Sequence, residues 1–536
     1  MTQTAAQAIA RGLAKAGCRH VFGMPGGEVL VLLDALAEAG LEFTLCKHEN
    51  AAGFMAEGSW QATGAPGILL TTIGPGLANG MNSIANAFQE QVPLIVLSGC
   101  IDDTNAEQFT HQVIDQSALL APITKARFRV APGTAPLVIE KALSIALADP
   151  PGPVHIDLPD TLARSEAPPL PSPARAQSRG LWGDGPSRRQ AIERLRAAER
   201  PIVLAGIGAV LHNAGLALRN LCESHSIPLI TTYKAKGILP EDHPLSLGGH
   251  GLSPLSDKTI LPLLAQSDCV VLAGYDPIEM RSDWIRPWGA ENAIELTHTP
   301  TEHGMHGSAI RFVGDVAQAV MALHEGLDKR LPDPWANGEI NAAKDQLATA
   351  FSRRDAWGPH TVFAVLQDAL PVGAVTTVDS GAHRILLSQM WRATAPRRLL
   401  QSAAFCTMGV AIPLAIGYKR ASPDTPVLAV VGDAGFDMFA GELATLRDLQ
   451  LPLAIVVLVD QSLALIEKKQ TAMQLKKQGV SFGVSDFASI AKAYGGHGAL
   501  VTTAEELQYE LEKVWDRSQF TVIACPIERD AYNGAF

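Results

Sequence analysis

Two stretches decide the fold: Val427-Leu428-Ala429-Val430-Val431-Gly432-Asp433-Ala434-Gly435-Phe436, and Val456-Val457-Leu458-Val459-Asp460-Gln461-Ser462. Each begins with an apolar, β-branched run, which is typical of a strand buried on both faces of a parallel sheet. Each run ends in an acidic residue followed by small or polar residues. Because ligands bind at the carboxyl ends of the strands in open α/β sheets, we expect Asp433 and Asp460 to lie side by side at that edge. The interval between them predicts a crossover helix over residues 442–447.

The two acidic strand ends suit a magnesium ion that is bound to a diphosphate. Mg²⁺ takes few protein ligands and completes its octahedron with phosphate oxygens, and the N–H groups of Ala434 and Gly435 can face those phosphates. Taken alone, the first glycine-containing segment is more typical of a plain turn between a strand and a helix. The second acidic strand end favours the metal site, with Asp433 and Asp460 as ligands and with Gly432, Ala434 and Gly435 at the diphosphate.

Length and composition limit the class of protein. The chain has 536 residues, of which 47% are hydrophobic and 18% are charged, so it is long and apolar enough for three globular domains. A formal net charge of −11 argues against nucleic acid as a partner. No apolar run is long enough to span a bilayer, and the first residues lack the pattern of a secretory signal. The seven cysteines stand singly, so we expect buried free thiols and a cytoplasmic location.

The first part of the chain alternates strands and helices, which predicts a doubly wound parallel domain. A short strand reaches the turn at Pro25 and Gly26, a second runs over 43–46, and a third begins at residue 67 and ends in a glycine-rich turn that reaches Asn79. Glu49 stands where the second strand ends and a helix over 51–63 begins. In this window alone, a carboxylate that supports the helix N-terminus is as good an interpretation as a functional one.

The order of these motifs resembles the thiamine-diphosphate-dependent decarboxylases and carboligases. The motifs that carry the resemblance are Pro25-Gly26-Gly27, Lys47-His48-Glu49, Gly74-Pro75-Gly76-Leu77-Ala78-Asn79, and the run from Gly432 to Asp460. In the family that last run begins Gly-Asp-Gly and closes on Asn or Asp, so Ala434 is a mild departure. The resemblance covers essentially the whole chain and implies thiamine diphosphate and Mg²⁺ as cofactors.

The resemblance also gives the first part of the chain its roles. It implies that Pro25, Gly26 and Asn79 bind the cofactor and that Glu49 hydrogen-bonds N1′ of its aminopyrimidine ring. A proton shared between Glu49 and N1′ favours the imino tautomer of the ring, whose nitrogen removes the proton from C2 of the thiazolium. The chemistry then belongs to the cofactor, and the protein supplies control of the tautomer, geometry and desolvation.

Two further segments resemble the catabolic acetolactate synthases in particular. In those enzymes a His-Gln pair precedes a segment like Pro122-Ile123-Thr124-Lys125, which implies that His111 and Gln112 hydrogen-bond oxygens of the substrate or intermediate. Without the resemblance, a polar pair on the surface is the simpler interpretation. Gly274-Tyr275-Asp276-Pro277-Ile278-Glu279 also matches them, whereas anabolic members of the family bind FAD through a different segment here. FAD is therefore not expected.

The resemblance extends to the segments near the two acidic strand ends. Four residues that follow a strand over 375–378 are expected to face the diphosphate: Ser380, Gly381, Ala382 and His383. Two residues lie in a segment, 405–413, whose Met packs under the bent cofactor in the family: Thr407 and Met408. Three residues after Asp460 are expected at the cofactor, the first of them also as a metal ligand: Ser462, Leu463 and Ala464. The run through Leu465 and Ile466 is apolar where family members show aromatic and polar residues, which predicts a more apolar wall on the substrate side.

The expected architecture is α/β, with three doubly wound parallel-sheet domains. We place a pyrimidine-binding domain at residues 1–165, a central Rossmann-like domain at 190–330 and a diphosphate- and magnesium-binding domain at 350–536. An exposed linker over 165–189 separates the first two, because that stretch is rich in Pro, Ala, Ser and Arg and has no periodicity.

The resemblance implies an enzyme that acts on a small 2-oxo acid or aldehyde, decarboxylating pyruvate and ligating the product to a second carbonyl. The same motifs would serve a decarboxylase that does not ligate or a benzaldehyde-lyase-like C–C lyase. A catalytically inactive, cofactor-binding scaffold is the alternative from another class. Since the two halves of each site come from different chains in this family, we expect a homo-oligomer, dimer or tetramer, with active sites at the dimer interface.

Overall fold

The structure is a computed structural model that describes residues 3–106, 108–168, 180–300, 303–329, 331–332 and 334–536. Three six-stranded sheets, each with helices packed against it, follow one another along the chain. All the strand pairs within these sheets are parallel. The predicted architecture of three parallel α/β units is therefore confirmed.

The first unit begins with a strand that pairs outside its main sheet. Its elements are β1 Gln3–Thr4, α1 Ala5–Lys15, β2 His20–Met24, α2 Leu30–Glu38, β3 Glu42–Leu45, α3 Glu49–Thr63, β4 Gly67–Thr71, α4 Pro75–Asn79, α5 Met81–Gln89, β5 Leu94–Cys100, α6 Asp103–Ala106, α7 Gln116–Leu120, β6 Ala126–Arg129, α8 Ala135–Leu147, β7 Val154–Pro159, α9 Asp160–Ala163 and β8 Glu166–Ala167. The sheet order is β3-β2-β4-β5-β7-β6, and β1 pairs with β8 in an antiparallel ribbon.

The second unit has the Rossmann-like order that its strand and helix pattern predicts. Its elements are α10 Pro186–Ala197, β9 Pro201–Ala205, α11 Ile207–Leu211, α12 Gly215–His225, β10 Leu229–Thr231, β11 Ser246–Gly249, α13 Pro254–Gln266, β12 Cys269–Ala273, β13 Ala293–Thr297, β14 Ile310–Val313 and α14 Val316–Gly326. Its sheet order is β11-β10-β9-β12-β13-β14.

The third unit carries the two stretches that decide the fold. Its elements are α15 Glu339–Ala350, α16 Pro359–Ala369, β15 Val375–Val378, α17 Ala382–Met390, β16 Leu399–Gln401, α18 Ala411–Ala421, β17 Val427–Gly432, α19 Asp433–Phe439, α20 Leu443–Leu449, β18 Ala454–Val459, α21 Ala464–Ala472, α22 Phe487–Ala493, β19 His497–Leu500, α23 Ala504–Val514 and β20 Thr521–Pro526. Its sheet order is β16-β15-β17-β18-β20-β19, so the two stretches are neighbouring strands.

The first and third units share one core through α3 and α18. A Cβ atom at Gly58 would lie 2.2 Å from the carbonyl oxygen of Leu414, and one at Gly417 would lie 1.9 Å from that of Met55. The absence of side chains at these two positions lets the helix backbones touch. The buried side chains around them come from both units and form a single hydrophobic cluster. This packing fixes the N-terminus of α3 relative to the segment before α18.

Several local expectations need correction. The predicted linker over 165–189 contains β8 and the start of α10, while residues 169–179 lie outside the described part of the chain. The glycine-rich turn at 74–79 contains the short helix α4, because Gly74 adopts φ +63° and Pro75 opens the helix without needing a hydrogen-bond donor. Six of the seven cysteines are buried, as expected, but Cys406 is exposed. Among the described residues, no helix has the length and apolar character to cross a membrane.

Candidate active site

Two carboxylates lie at the carboxyl ends of neighbouring strands. Asp433 begins α19 directly after β17, and Asp460 follows β18. One carboxylate oxygen of Asp433 accepts the main-chain N–H groups of Asp460, at 3.1 Å, and of Gln461, at 2.7 Å. Burial, followed by the charge of Asp433, raises the pKa of Asp460 to about 7. Asp433 is buried and Asp460 is half-buried, and two carboxylates held this close repel each other, a repulsion that a bound divalent cation relieves.

A cavity of about 240 Å³ opens at these strand ends. Of the residues predicted at the cofactor, those that line it all belong to the third unit: Ser380, Gly381, Ala382, His383, Met408, Gly432, Asp433, Ala434, Gly435, Asp460, Ser462, Leu463 and Ala464. Leu465 and Ile466 extend the lining, so the run after Asp460 forms an apolar part of the wall, as its composition predicts. A larger cavity, about 690 Å³, lies between the second and third units but has no such pair of strand-end carboxylates.

The cavity wall also carries polar atoms that lack a partner. The buried atoms Ser380 Oγ, His383 Nε2, Arg384 Nε and Tyr532 Oη make no hydrogen bond to any residue that the structure describes. Such atoms are rare in native proteins, and each costs free energy unless a ligand or water pairs with it. Burial lowers the pKa of His383 to about 3, so its imidazole is neutral. The hydroxyl and guanidinium donors around this space fit an anionic ligand such as a diphosphate.

The N–H group of Ala434, which is predicted to face a phosphate, has a hydrogen-bond partner within the protein. The N–H of Ala434 donates to Oδ1 of Asp433, at 2.8 Å, because α19 starts at Asp433 and the carboxylate meets the first free N–H group of that helix. The expectation that this N–H faces a phosphate stays a prediction. The absence of a side chain at Gly435 has a clear reason, since a Cβ there would lie 2.0 Å from a carboxylate oxygen of Asp379.

Asp379 is a supporting residue that sequence reasoning missed. It ends β15, is fully buried, and accepts the N–H groups of Gly409 and Val410, both at 2.9 Å. Burial raises its pKa to about 6. These bonds fix the turn that presents Met408 to the cavity. Its position at a strand end beside β17 is the one signal that the sequence offers for it.

The loop that follows Asp460 is held by the side chain of Glu467. Its carboxylate accepts the hydroxyl of Ser462 and also binds Arg529, at 2.9 Å, and Lys477, at 2.6 Å. The hydrogen bonds from these three donors lower the pKa of Glu467 to about 2. The hydroxyl of Ser462 is thus engaged by Glu467, and a role for this residue as a metal ligand stays a prediction.

The residues predicted in the first unit gather at a second sheet edge. Glu49 is the first residue of α3, is 5% exposed, and accepts the side-chain amide of Asn79 at 3.0 Å. A Cβ at Gly26, which follows Pro25, would lie 2.1 Å from the hydroxyl of Thr72. These residues therefore meet where β2 and β4 end and α3 and α4 begin.

His111 and Gln112 lie in an exposed turn attached to that same edge. Gln112 has φ +61°, and its carbonyl oxygen lies 2.1 Å from where a Cβ of Gly74 would be. The side chain of Gln116 anchors the turn, since it accepts the N–H of Gly74 at 2.8 Å and donates to Asp157 at 2.5 Å. Sequence reasoning missed Gln116, which carries no motif.

Thr407 links the predicted site residues of the third unit to the first unit of the same chain. Its hydroxyl is hydrogen-bonded to the side chain of Asn82, at 2.9 Å, so a residue of the third unit is held by one of the first. Glu49 itself is not among the residues that line the cavity, which run from Ser380 to Tyr532. The described chain thus presents a cavity with two carboxylates on the third unit and a buried carboxyl on the first.

Comparison with known proteins places the site residues of the first and third units in domains of one enzyme family. Three family models match the chain: the N-terminal TPP binding domain of thiamine pyrophosphate enzymes at residues 3–119, the central domain at 188–323, and the C-terminal TPP binding domain at 379–525. The chain belongs to the thiamine pyrophosphate enzyme family. The first and third matches cover the two groups of site residues, so both sheet edges lie in regions that the family models describe as TPP-binding.

Relatives of this thiamine pyrophosphate enzyme match over nearly their whole length. The chain is 30% identical to a probable acetolactate synthase large subunit of Methanocaldococcus jannaschii, over 95% of this chain and 89% of that protein. It is 32% identical to the probable 2-ketoarginine decarboxylase AruI of Pseudomonas aeruginosa, over 97% and 94%. It is 28% identical to the acetolactate synthase isozyme 3 large subunit of Escherichia coli, over 96% and 92%. The protein is thus a thiamine-diphosphate enzyme of the acetolactate synthase and decarboxylase type.

Proposed function

We propose that the protein is a Mg²⁺-dependent enzyme that decarboxylates a small 2-oxo acid and, in the acetolactate-synthase-like reaction, takes pyruvate and ligates the product to a second carbonyl. The observation that carries the proposal is the cavity at the ends of β17 and β18, where two strand-end carboxylates meet unpaired donors. A divalent cation with a diphosphate satisfies both sets of groups at once.

Each group of residues has a part of the cofactor to hold. Asp433, Asp460 and the main-chain oxygen of Ser462 would bind Mg²⁺. Ser380 and His383 would bind the diphosphate, in a cradle of small residues that also includes Gly381, Ala382, Gly432, Ala434 and Gly435. Thr407, Met408, Leu463 and Ala464 would contact the thiazolium end, and Pro25, Gly26, Glu49 and Asn79 the pyrimidine. When bound, this cofactor would supply a nucleophilic carbon for the 2-oxo group and an electron sink for the loss of CO₂.

The residues of this chain would control protons, orientation and water. Glu49, buried and hydrogen-bonded to Asn79, would hold a proton against N1′ of the pyrimidine. His111 and Gln112 would hydrogen-bond substrate oxygens from their turn. The apolar side chains of Leu465 and Ile466 would exclude water from the reacting carbonyl and accommodate an apolar group of the substrate.

A complete site would require a second copy of the chain. The cavity is lined by the third unit, whereas the buried carboxyl of Glu49 lies in the first. Apolar side chains are exposed on both units, including Phe109 at 54% and Met438 at 55%. A symmetric dimer in which the first unit of one chain faces the third unit of its partner would cover such side chains and bring Glu49 to the cavity.

We propose that the central unit binds no FAD. Its dinucleotide crevice would lie between β9 and β12, where strand order reverses. At that place a Cβ at Gly206 would lie 2.6 Å from the oxygen of Gly274, and Gln91 of the first unit bonds to Asp276 at 3.0 Å and to His298 at 3.2 Å. These contacts between the first and central units at the expected crevice support the proposal.

A decarboxylase that does not ligate is the second candidate. A relative with this description shares 32% identity over 97% of the chain. The site residues proposed above would serve it unchanged, because only the fate of the product after CO₂ release differs. A benzaldehyde-lyase-like C–C lyase would use the same residues on a different substrate. An inactive cofactor-binding scaffold would bind thiamine diphosphate and release no CO₂.

Product analysis separates these candidates. The protein is incubated with thiamine diphosphate, Mg²⁺ and, separately, pyruvate, 2-ketoarginine, benzoylformate or benzoin, and CO₂ and carbonyl products are identified. We expect CO₂ together with a 2-hydroxy-2-methyl-3-oxo acid from pyruvate. An aldehyde as sole product favours the simple decarboxylase, and cleavage of benzoin favours the lyase. Cofactor binding with no turnover of any substrate contradicts the enzymatic proposal, and the Glu49→Gln variant is the matched inactive control.

A further inference from the structure

Tyr532 reaches the cofactor cavity from a segment that carries none of the motifs. The segment 529–536 follows β20, and Tyr532 lines the same cavity as Asp433 and Asp460. The residue is 4% exposed, and its ring lies 6.4 Å from that of Phe536. A buried aromatic side chain in this position fills part of the wall, but its hydroxyl needs a separate explanation.

The hydroxyl of Tyr532 has no partner among the described residues. Its oxygen is buried and makes no hydrogen bond. A phenol keeps its proton near neutral pH, so the group is an O–H donor, and it lines the same cavity as both carboxylates. Asp433 already accepts three main-chain N–H groups, those of Ala434, Asp460 and Gln461. The buried hydroxyl of Tyr532 therefore has no acceptor among the described residues.

The segment that carries Tyr532 is held against α21 and the loop that follows Asp460. Arg529 donates to the carboxylate of Glu467 at 2.9 Å and to the hydroxyl of Ser481 at 2.5 Å. Glu467 is also the acceptor for Ser462, two residues after Asp460. The ammonium group of Lys468 lies 4.0 Å from the centre of the Phe536 ring. These contacts hold the segment against α21 and fix the phenol relative to the proposed metal ligands.

We propose that Tyr532 is a cofactor-binding residue whose hydroxyl donates a hydrogen bond to the diphosphate of the bound cofactor. A phosphate oxygen is the acceptor that suits this place, because the same cavity presents the unpaired donors of Ser380 and Arg384. The inference rests on the proposed function. It adds to that function a residue from a segment outside all three family matches, the last of which ends at residue 525.

The test compares the affinity of Tyr532→Phe and wild-type protein for two ligands by calorimetry in the presence of Mg²⁺. The ligands are thiamine diphosphate and inorganic diphosphate. Loss of one hydrogen bond to a charged group should weaken both affinities by about 10- to 100-fold, while the phenyl ring keeps the packing. The matched control is Tyr509→Phe, because Tyr509 is 59% exposed on α23 and lies outside the cavity lining.

The outcomes are distinct. Unchanged affinity of Tyr532→Phe for both ligands overturns the inference, and so does a loss confined to thiamine diphosphate, since the hydroxyl would then face the thiazolium. Wild-type protein that fails to bind thiamine diphosphate contradicts the proposed function instead. If Tyr532→Phe does not fold, replacement of Tyr532 by 3-fluorotyrosine decides the question: its ¹⁹F resonance should shift when magnesium diphosphate is added, and an unshifted resonance overturns the inference.

Discussion

Glu49 is the single residue on which the proposed chemistry depends most. Its carboxyl is buried at the start of α3 and has one described partner, the amide of Asn79. An amide in its place would fill the same volume but would not share a proton with N1′ of the cofactor. A substitution of Glu49 by Gln therefore tests proton control separately from cofactor binding.

We expect Glu49→Gln to slow the exchange of C2–H in bound thiamine diphosphate by roughly 10²- to 10⁴-fold, the usual contribution of general acid–base assistance. Rapid-quench NMR in D₂O measures this rate directly. Cofactor affinity should stay close to that of wild type. Glu38→Gln, an exposed change in the same unit, serves as the control. Exchange at nearly the wild-type rate would remove Glu49 from the mechanism.

Asp433 should control the metal and the diphosphate together. Asp433→Ala removes one of two carboxylates, so we expect weaker binding of both Mg²⁺ and thiamine diphosphate, measured by calorimetry with each ligand in turn. The fold should survive, because the residue stands at a strand end. Asp437→Ala is the matched control, since Asp437 is exposed one turn later on α19. Parental affinity for the cofactor in Asp433→Ala would show that the metal assignment is wrong.

Residues that follow apolar strands could be predicted from the sequence. Residues whose role depends on contacts between distant segments could not. Asp433 and Asp460 stand out because each follows a run that can only be a buried strand. Asp379 also ends such a run, but its role depends on a turn at Gly409 that returns from a distant part of the chain. Tyr532 enters the cavity from a segment with no periodicity or motif, so only the packing of that segment on α21 reveals it.

At the scale of elements, the first, second and third units meet around one buried lysine. Lys234 forms an ion pair with Glu90, whose other oxygen accepts the N–H groups of Ala404 and Phe405, at 2.7 and 3.0 Å. Glu57 on α3 is buried beside this pair, and burial, followed by the charge of Glu90, raises its pKa to about 8. The junction holds the segment that leads to Thr407 and Met408.

This junction predicts a pH dependence of stability. Glu57 keeps its proton in the folded state up to about pH 8 but loses it near pH 4.5 when unfolded, so the folded state binds more protons between these values. Stability should therefore fall as pH rises from about 4.5 to 8. Glu57→Gln imitates the protonated carboxyl, and we expect a flatter dependence in denaturant unfolding over this range. Glu505→Gln, exposed on α23, should keep the wild-type slope. Equal slopes for Glu57→Gln and wild type would contradict the prediction.

Elements with long apolar runs were predicted well, and short elements were not. The strand Val375–Val378 of the third unit has the bounds that its sequence predicts. The crossover helix begins at Leu443 instead of residue 442, because a 3-10 turn over Ala440–Glu442 precedes it. The two-residue strand β8 is too short for any periodicity, and only its pairing with β1 makes it a strand. The contact of α3 with α18 rests on two glycines, which no local pattern marks.

At the scale of the whole molecule, the division of site residues between the first and third units makes a sharp test possible. Glu49→Gln and Asp433→Ala are each expected to be nearly inactive alone. If sites are shared, a dimer with one chain of each kind has one site with both defects and one site with neither. Random two-fold pairing makes half of all dimers mixed, so about a quarter of all sites should be intact.

The measurement is activity after the two variants are unfolded and refolded together. Recovery toward about a quarter of wild-type activity supports a site built from two chains. Refolding each variant separately and mixing afterwards is the control, because it supplies both chains without exchange. Subunit exchange is followed independently, by a fluorophore pair placed on the two chains. If exchange is complete and activity does not return, each site is built within one chain, and Glu49 must then reach the cavity of its own third unit through a rearrangement of α3 on α18.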